Sequence, residues 1–138
     1  MRNMKMQESP EDYLEAIYML SLKQQEVRSI DIARHLGYSK PSVSVAMKRL
    51  RENGFVLMDD NGFLTLTPEG RAIATRVYER HEVISRYLIS IGINEETAQK
   101  DACRMEHVIS EETFQKIKEL YKQTQVAADS VNHRGTRL

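Results

Sequence analysis

The chain has 138 residues, with 20 Lys and Arg against 20 Asp and Glu, and one cysteine. That length supports one compact unit or two small ones and leaves little room for a deep catalytic cleft. A single thiol excludes an internal disulfide framework, and no apolar run approaches the roughly 20 residues of a membrane-spanning helix.

The opening MRNMKMQESP lacks the continuous apolar core of a secretory leader, so the chain is expected to be cytoplasmic. Ser9-Pro10-Glu11-Asp12 is a helix start, with Ser9 as N-cap and Pro10 at the first helical position, and the helix should run to about Leu22. Ser29 is placed to cap a second short helix, Ile30 to Leu36, closed by Gly37. A third should follow from Pro41 to about Asn53, ended by Gly54. Two short helices joined at Gly37-Tyr38-Ser39-Lys40 make a helix-turn-helix.

The periodicity then changes. Phe55 to Met58 and Phe63 to Thr67 are β-prone, and Asn61-Gly62 between them is a hairpin signal, giving a wing. Thr67-Pro68 starts a long helix to about Ile91, with Ala74, Val77, His81, Ile84, Leu88 and Ile91 on one face and Gly92 as breaker. Two further helices are expected, Glu95 to about Val108 and Glu111 to about Thr124, before the polar, aperiodic QVAADSVNHRGTRL. The fold class is therefore mainly α: a winged helix-turn-helix domain with a small β-hairpin wing over residues 1–71, an all-helical domain over 72–124, and a disordered tail over 125–138.

Although the net charge is zero, the charges are segregated. Arg28 to Arg51 holds six Lys or Arg and one Asp, whereas Glu95 to Glu112 holds six acids and two bases. The first stretch suits a polyanion and the second a cation. A helix-turn-helix presents the amino end of its second helix to base edges while flanking hydroxyls, amides and cations hold phosphates. In SKPSVSVAMKRLRENG, the small polar residues Ser39, Ser42 and Ser44, with Lys40, Pro41, Lys48, Arg49 and Arg51, fit that task. Val43, Met47 and Leu50 form the stripe behind them. The plainer alternative is a solvated charged face with serine caps; the helix pair, basic bias and Asn-Gly wing together favour DNA.

In ACRMEHVIS, Cys103, Glu106 and His107 stand at i, i+3 and i+4 and share one helical flank. Asp12 and Glu15 are also i, i+3, and His81 lies on the inward stripe of the long helix. Each has a plainer reading: Asp12 as part of a capping box, Glu15 as a solvated acid, His81 as a hydrogen-bonded core histidine, Cys103 as a small buried residue. Three carboxylates, a thiol and two imidazoles are nonetheless costly to gather inside a protein without a cation. The set suits one or two divalent ions, iron or manganese, with cobalt, nickel and zinc able to substitute in vitro. His35 and His133 are assigned to no site.

PEDYLEAIYML, SKPSVSVAMKRLRENG, the Asn-Gly wing with LTLTPEGR, RHEVISRYL and ACRMEHVIS, in order over residues 10 to 120, resemble the diphtheria toxin repressor family of metal-dependent transcriptional repressors. The resemblance implies a homodimer of the short two-domain branch, with a metal-binding and dimerisation domain after the winged helix, that binds operator DNA when loaded with Mn2+ or Fe2+ and controls metal homeostasis. Manganese regulators of that family carry an Asp, a Glu and a His where this chain has Asp12, Glu15 and His81, but a Glu where it has Cys103. Cys-x-x-Glu-His is the pattern of the iron-dependent branch, which has Met in place of Asp12 and uses a Glu and a His, in an ancillary site, where this chain has Ser85 and Gln99. The implied site is a hybrid, and the ion is iron or manganese.

No catalytic activity, membrane or organic substrate is expected. Two rival classes remain: a winged-helix regulator answering a small organic effector, and a metallohydrolase, which would need an open coordination position and a general base.

Overall fold

Ser9 Oγ accepts the Asp12 amide at 3.2 Å and starts α1 (Pro10–Lys23). The computed structural model describes the backbone of residues 9–137 and the side chains of residues 9–128, so the expectations for residues 1–8 and for His133 fall outside the described residues. Two compact units divide at Tyr78/Glu79.

In the first unit, α2 (Ser29–Leu36) and α3 (Lys40–Glu52) follow α1. Ser29 does not cap α2 as expected. The cap position is Arg28, whose amide donates to Asp31 Oδ2 at 2.9 Å, so a carboxylate in the first turn does the work assigned to the hydroxyl. Gly37, with φ of 73°, turns the chain out of α2 in a conformation that side chains with a Cβ resist. Strands β1 (Val56–Met58) and β2 (Leu64–Leu66) pair antiparallel, with Leu57 opposite Thr65. Asp59 Oδ1 accepts the amides of Asn61 and Phe63, both at 2.9 Å, and so shapes the wing turn. The Leu64 amide donates to Val27 O at 2.7 Å, tying the hairpin to the segment before α2.

The core of this unit gathers Tyr13, Leu14 and Ile17 of α1, Ile32 of α2, Val43, Met47 and Leu50 of α3, Val56 and Leu64 of the hairpin, and Ala74 of the next helix. The i, i+4 and i, i+7 spacing of Val43, Met47 and Leu50 buries one side of α3 and turns its polar side outward.

Helix α4 (Pro68–Ser90) is continuous across the division between the units. Its start is crowded: Thr67 Oγ1 donates to Gly54 O at 2.7 Å and accepts the Gly70 amide at 3.1 Å. A Cβ at Gly70 would overlap the Phe55 carbonyl oxygen. Of the expected apolar stripe, Ala74, Val77 and Ile84 are buried, but Ile91 is 57% exposed, because the helix ends at Ser90 and Gly92 reverses the chain with φ of 101°.

The second unit adds α5 (Glu95–Val108), capped by Asn94, and α6 (Glu111–Arg137). Ile84, Ala102 and Phe114 form its buried centre, with Val83, Leu88, Met105 and Ile109 packed around them. The segment from 125 onward, expected to be a disordered tail, continues α6. Its Gln125-Val126-Ala127-Ala128 run is a good helix former, and loss of apolar periodicity there reflects exposure rather than a helix end. Among the described residues the chain is mainly helical, with six helices and one two-stranded hairpin, and no helix is long and apolar enough to cross a membrane.

Candidate functional site

Helix α3 begins at Ser39, whose Oγ accepts the Ser42 amide at 3.3 Å and pairs with Ser42 Oγ at 3.0 Å. These two serines therefore serve first as a cap, the plainer of the two roles open to them. Lys40, Pro41, Ser44, Lys48 and Arg49 are exposed, a small hydroxyl and three cations available to a polyanion. Between them stands Val45, 53% exposed on the ridge of Pro41, a residue that sequence patterns pass over because an apolar side chain signals core. Arg51 turns instead toward the wing, its Nη1 3.0 Å from Met58 Sδ.

Asp12 and Glu15 lie on α1 in the first unit, Asp12 half-buried and Glu15 buried. His81, Cys103, Glu106 and His107 belong to the second unit. There α4 and α5 bring His81 and His107 to one carboxylate. Glu106 Oε2 lies 3.0 Å from His81 Nδ1, and Glu106 Oε1 lies 3.3 Å from His107 Nε2. The Glu106 side chain is wholly buried, and its Oε1 has no hydrogen-bond partner among the described atoms. Cys103, one turn earlier on α5, is exposed.

Two residues that residue type and spacing do not single out complete the arrangement. Arg80 is buried, and its Nη1 donates to the carbonyls of Glu106 at 3.1 Å and Ile109 at 3.0 Å, while Nη2 pairs with Glu111 at 2.8 Å. Gln99 Oε1 lies 2.7 Å from His81 Nε2. The His81 ring thus stands between the Gln99 amide at Nε2 and the Glu106 carboxylate at Nδ1.

The donors fit a divalent ion on these grounds. A buried carboxylate with an unsatisfied oxygen is costly unless a positive charge compensates it. Donor pairs 3.0 and 3.3 Å apart are spaced as neighbouring ligands on an ion whose bonds to nitrogen and oxygen are about 2.0–2.2 Å. Imidazole and carboxylate together suit first-row transition ions.

Comparison with known proteins agrees with this division of labour. The family model described as "Iron dependent repressor, N-terminal DNA binding domain" matches residues 5–62, and that described as "Iron dependent repressor, metal binding and dimerisation domain" matches residues 67–130. The chain is similar to the transcriptional regulator MntR of Salmonella typhimurium, 39% identical over 104 residues that cover 75% of this chain and 66% of that protein. It is 33% identical over 112 residues to the HTH-type transcriptional regulator MntR of Lysinibacillus sphaericus, covering 81% of each. Among solved structures, that of the manganese regulator SloR superposes with a TM-score of 0.74 at 27% identity, covering 83% of this chain and 54% of that one. The chain thus spans just under two thirds of the Salmonella regulator and about half of the SloR chain.

Proposed function

Because the chain belongs to the iron dependent repressor family, that of the diphtheria toxin repressor, we propose that it represses transcription as a metal-loaded homodimer. It binds operator DNA when it holds Mn2+ or Fe2+, and so ties expression of target genes in the cytoplasm to the supply of that ion. The observation that carries this reading is Glu106, a wholly buried carboxylate set between two imidazoles, in the segment matched by the metal-binding and dimerisation model.

Residues 1–71 form the reading head, with Ser39, Lys40, Pro41, Ser42, Ser44, Lys48 and Arg49 toward DNA, and residues 72–124 hold metal and pair the copies. Asp12, Glu15, His81, Cys103, Glu106 and His107 are the proposed ligand set, serving one ion or two. The ion supplies positive charge, which compensates clustered acids and orders the residues around it. Asp12 and Glu15 belong to the reading head and the other four donors to the metal-binding domain, so loading ties α1 to that domain and restrains the recognition helices. Coupling of this kind is typically about 1–3 kcal/mol and reciprocal, so operator DNA tightens metal binding by the same factor.

A gel shift on chelated protein, titrated anaerobically with Fe2+ and separately with Mn2+, tests the reading. Retardation that appears only with an ion supports it and ranks the two ions. DNA affinity that is unchanged by chelation overturns it in favour of an organic effector.

A further inference from the structure

We propose that Val45 reads operator sequence, its isopropyl group packing on the 5-methyl group of a thymine in the major groove. The contact sets a preference for T·A over C·G at one position of each half-site. It rests on the DNA reading above and adds to it a base-specific contact. The observation behind it is an aliphatic side chain, 53% exposed, on the outward side of α3.

Val43, Met47 and Leu50 are buried, which fixes how α3 is turned. At about 100° per residue, Val45 falls almost directly opposite that stripe. It stands one turn after Pro41 and one turn before Lys48 and Arg49, all three exposed. The outermost line of the helix over these turns thus carries an apolar group close to two cations suited to phosphates.

A lone surface aliphatic needs no special explanation. Two properties set this one apart. A β-branched residue is a poorer helix former than Ala, Lys or Glu, and at so exposed a position core packing does not offset that cost. The side chain also has no hydrogen-bonding atom, so it gains nothing from phosphate. Against a base edge it leaves donors and acceptors unpaired unless that edge is itself apolar. In the major groove thymine alone offers such an edge, its C5 methyl, whereas cytosine presents an amino donor that an isopropyl group would strand. Because χ1 of valine is nearly fixed in a helix, the methyl groups arrive at the base already ordered.

The test uses the full chain loaded with whichever of Mn2+ and Fe2+ supports retardation in the gel shift. Its operator is selected from a pool of random duplexes. Each thymine of the selected site is then replaced singly by deoxyuridine, which removes the methyl and leaves the base pairing intact. Fluorescence anisotropy is expected to show one thymine per half-site at which the wild type loses about threefold to fivefold in affinity, the effect of one methyl leaving apolar contact. Val45→Ser should bind thymine and deoxyuridine equally at that position, while Val45→Ile should keep the discrimination. Both substitutions fall at an exposed position and leave the core untouched.

Discrimination that persists in Val45→Ser, its loss in Val45→Ile, or a selected site with no thymine whose methyl the wild type senses would each overturn the proposal and leave the DNA reading standing. A wild type that enriches no sequence with either ion would overturn the DNA reading, and the base contact with it.

Discussion

Arg80 donates to the backbone carbonyl of Glu106 at 3.1 Å. The residue next to His81 on α4 thus fixes the main chain that carries the buried carboxylate, while its guanidinium also reaches Ile109 and Glu111 and lies 5.1 Å from the centre of the Phe114 ring. Helix α5 ends at Val108, so the carbonyls it engages are among those a helix leaves without partners. One side chain thereby closes the α5–α6 turn and steadies the candidate ligand.

Arg80→Met should destabilise the metal-free protein by about 2–4 kcal/mol, because carbonyls buried with the guanidinium lose their donor. Arg80→Lys should fall between, since an ammonium keeps the charge but cannot span the same acceptors. Urea unfolding in the presence of chelator measures both. Equal stability of Arg80→Met and wild type would deny the guanidinium its bracing role.

Glu106→Gln should have opposite effects with and without metal. Removing a buried charge leaves the chelated protein as stable as wild type or more so, whereas stabilisation by Mn2+ disappears. In the wild type that stabilisation should reach about 2.7 kcal/mol when free ion is a hundred times its Kd. Thermal melts with and without Mn2+ separate the two effects. A chelated Glu106→Gln protein that melts well below wild type would assign Glu106 to the scaffold instead.

Lys48→Ala or Arg49→Ala should weaken operator binding and lower the slope of log K against log salt by about 0.9 for each phosphate no longer neutralised. Fluorescence anisotropy over a salt series reads the slope directly. Weakened binding at an unaltered slope would mean that the substituted cation does not pair with a phosphate.

Gly70→Ala should cost more than about 3 kcal/mol, the upper range for overpacking, because its new methyl group meets backbone rather than a side chain that can move. Denaturant titration of the full chain checks this. A near-neutral effect would mean that the wing and the start of α4 separate easily.

Much of the first unit is legible in the sequence because its signals are local. Ser9-Pro10, Ser39 before Pro41, and Asn61-Gly62 each fix their structure within a few residues, and the structure places two caps and a hairpin there. The cap of α2 is not legible in the same way, because hydroxyl and carboxylate compete for such starts, and Asp31 prevails over Ser29. The length of α6 escapes because apolar spacing reports a buried face, not helicity, and an exposed helix has no such face. His81, Glu106 and His107 can be selected by residue type and helical spacing. Gln99 and Arg80 cannot, since their partners stand 18 and 26 residues away on another helix and neither type marks a ligand.

His81 has a polar neighbour at each ring nitrogen, Glu106 at Nδ1 and Gln99 at Nε2. An imidazole already stopped from swivelling has little conformational freedom left to surrender when an ion arrives, so less of the binding free energy goes into ordering. Ordering the ring before loading lowers the concentration of ion needed to fill the site.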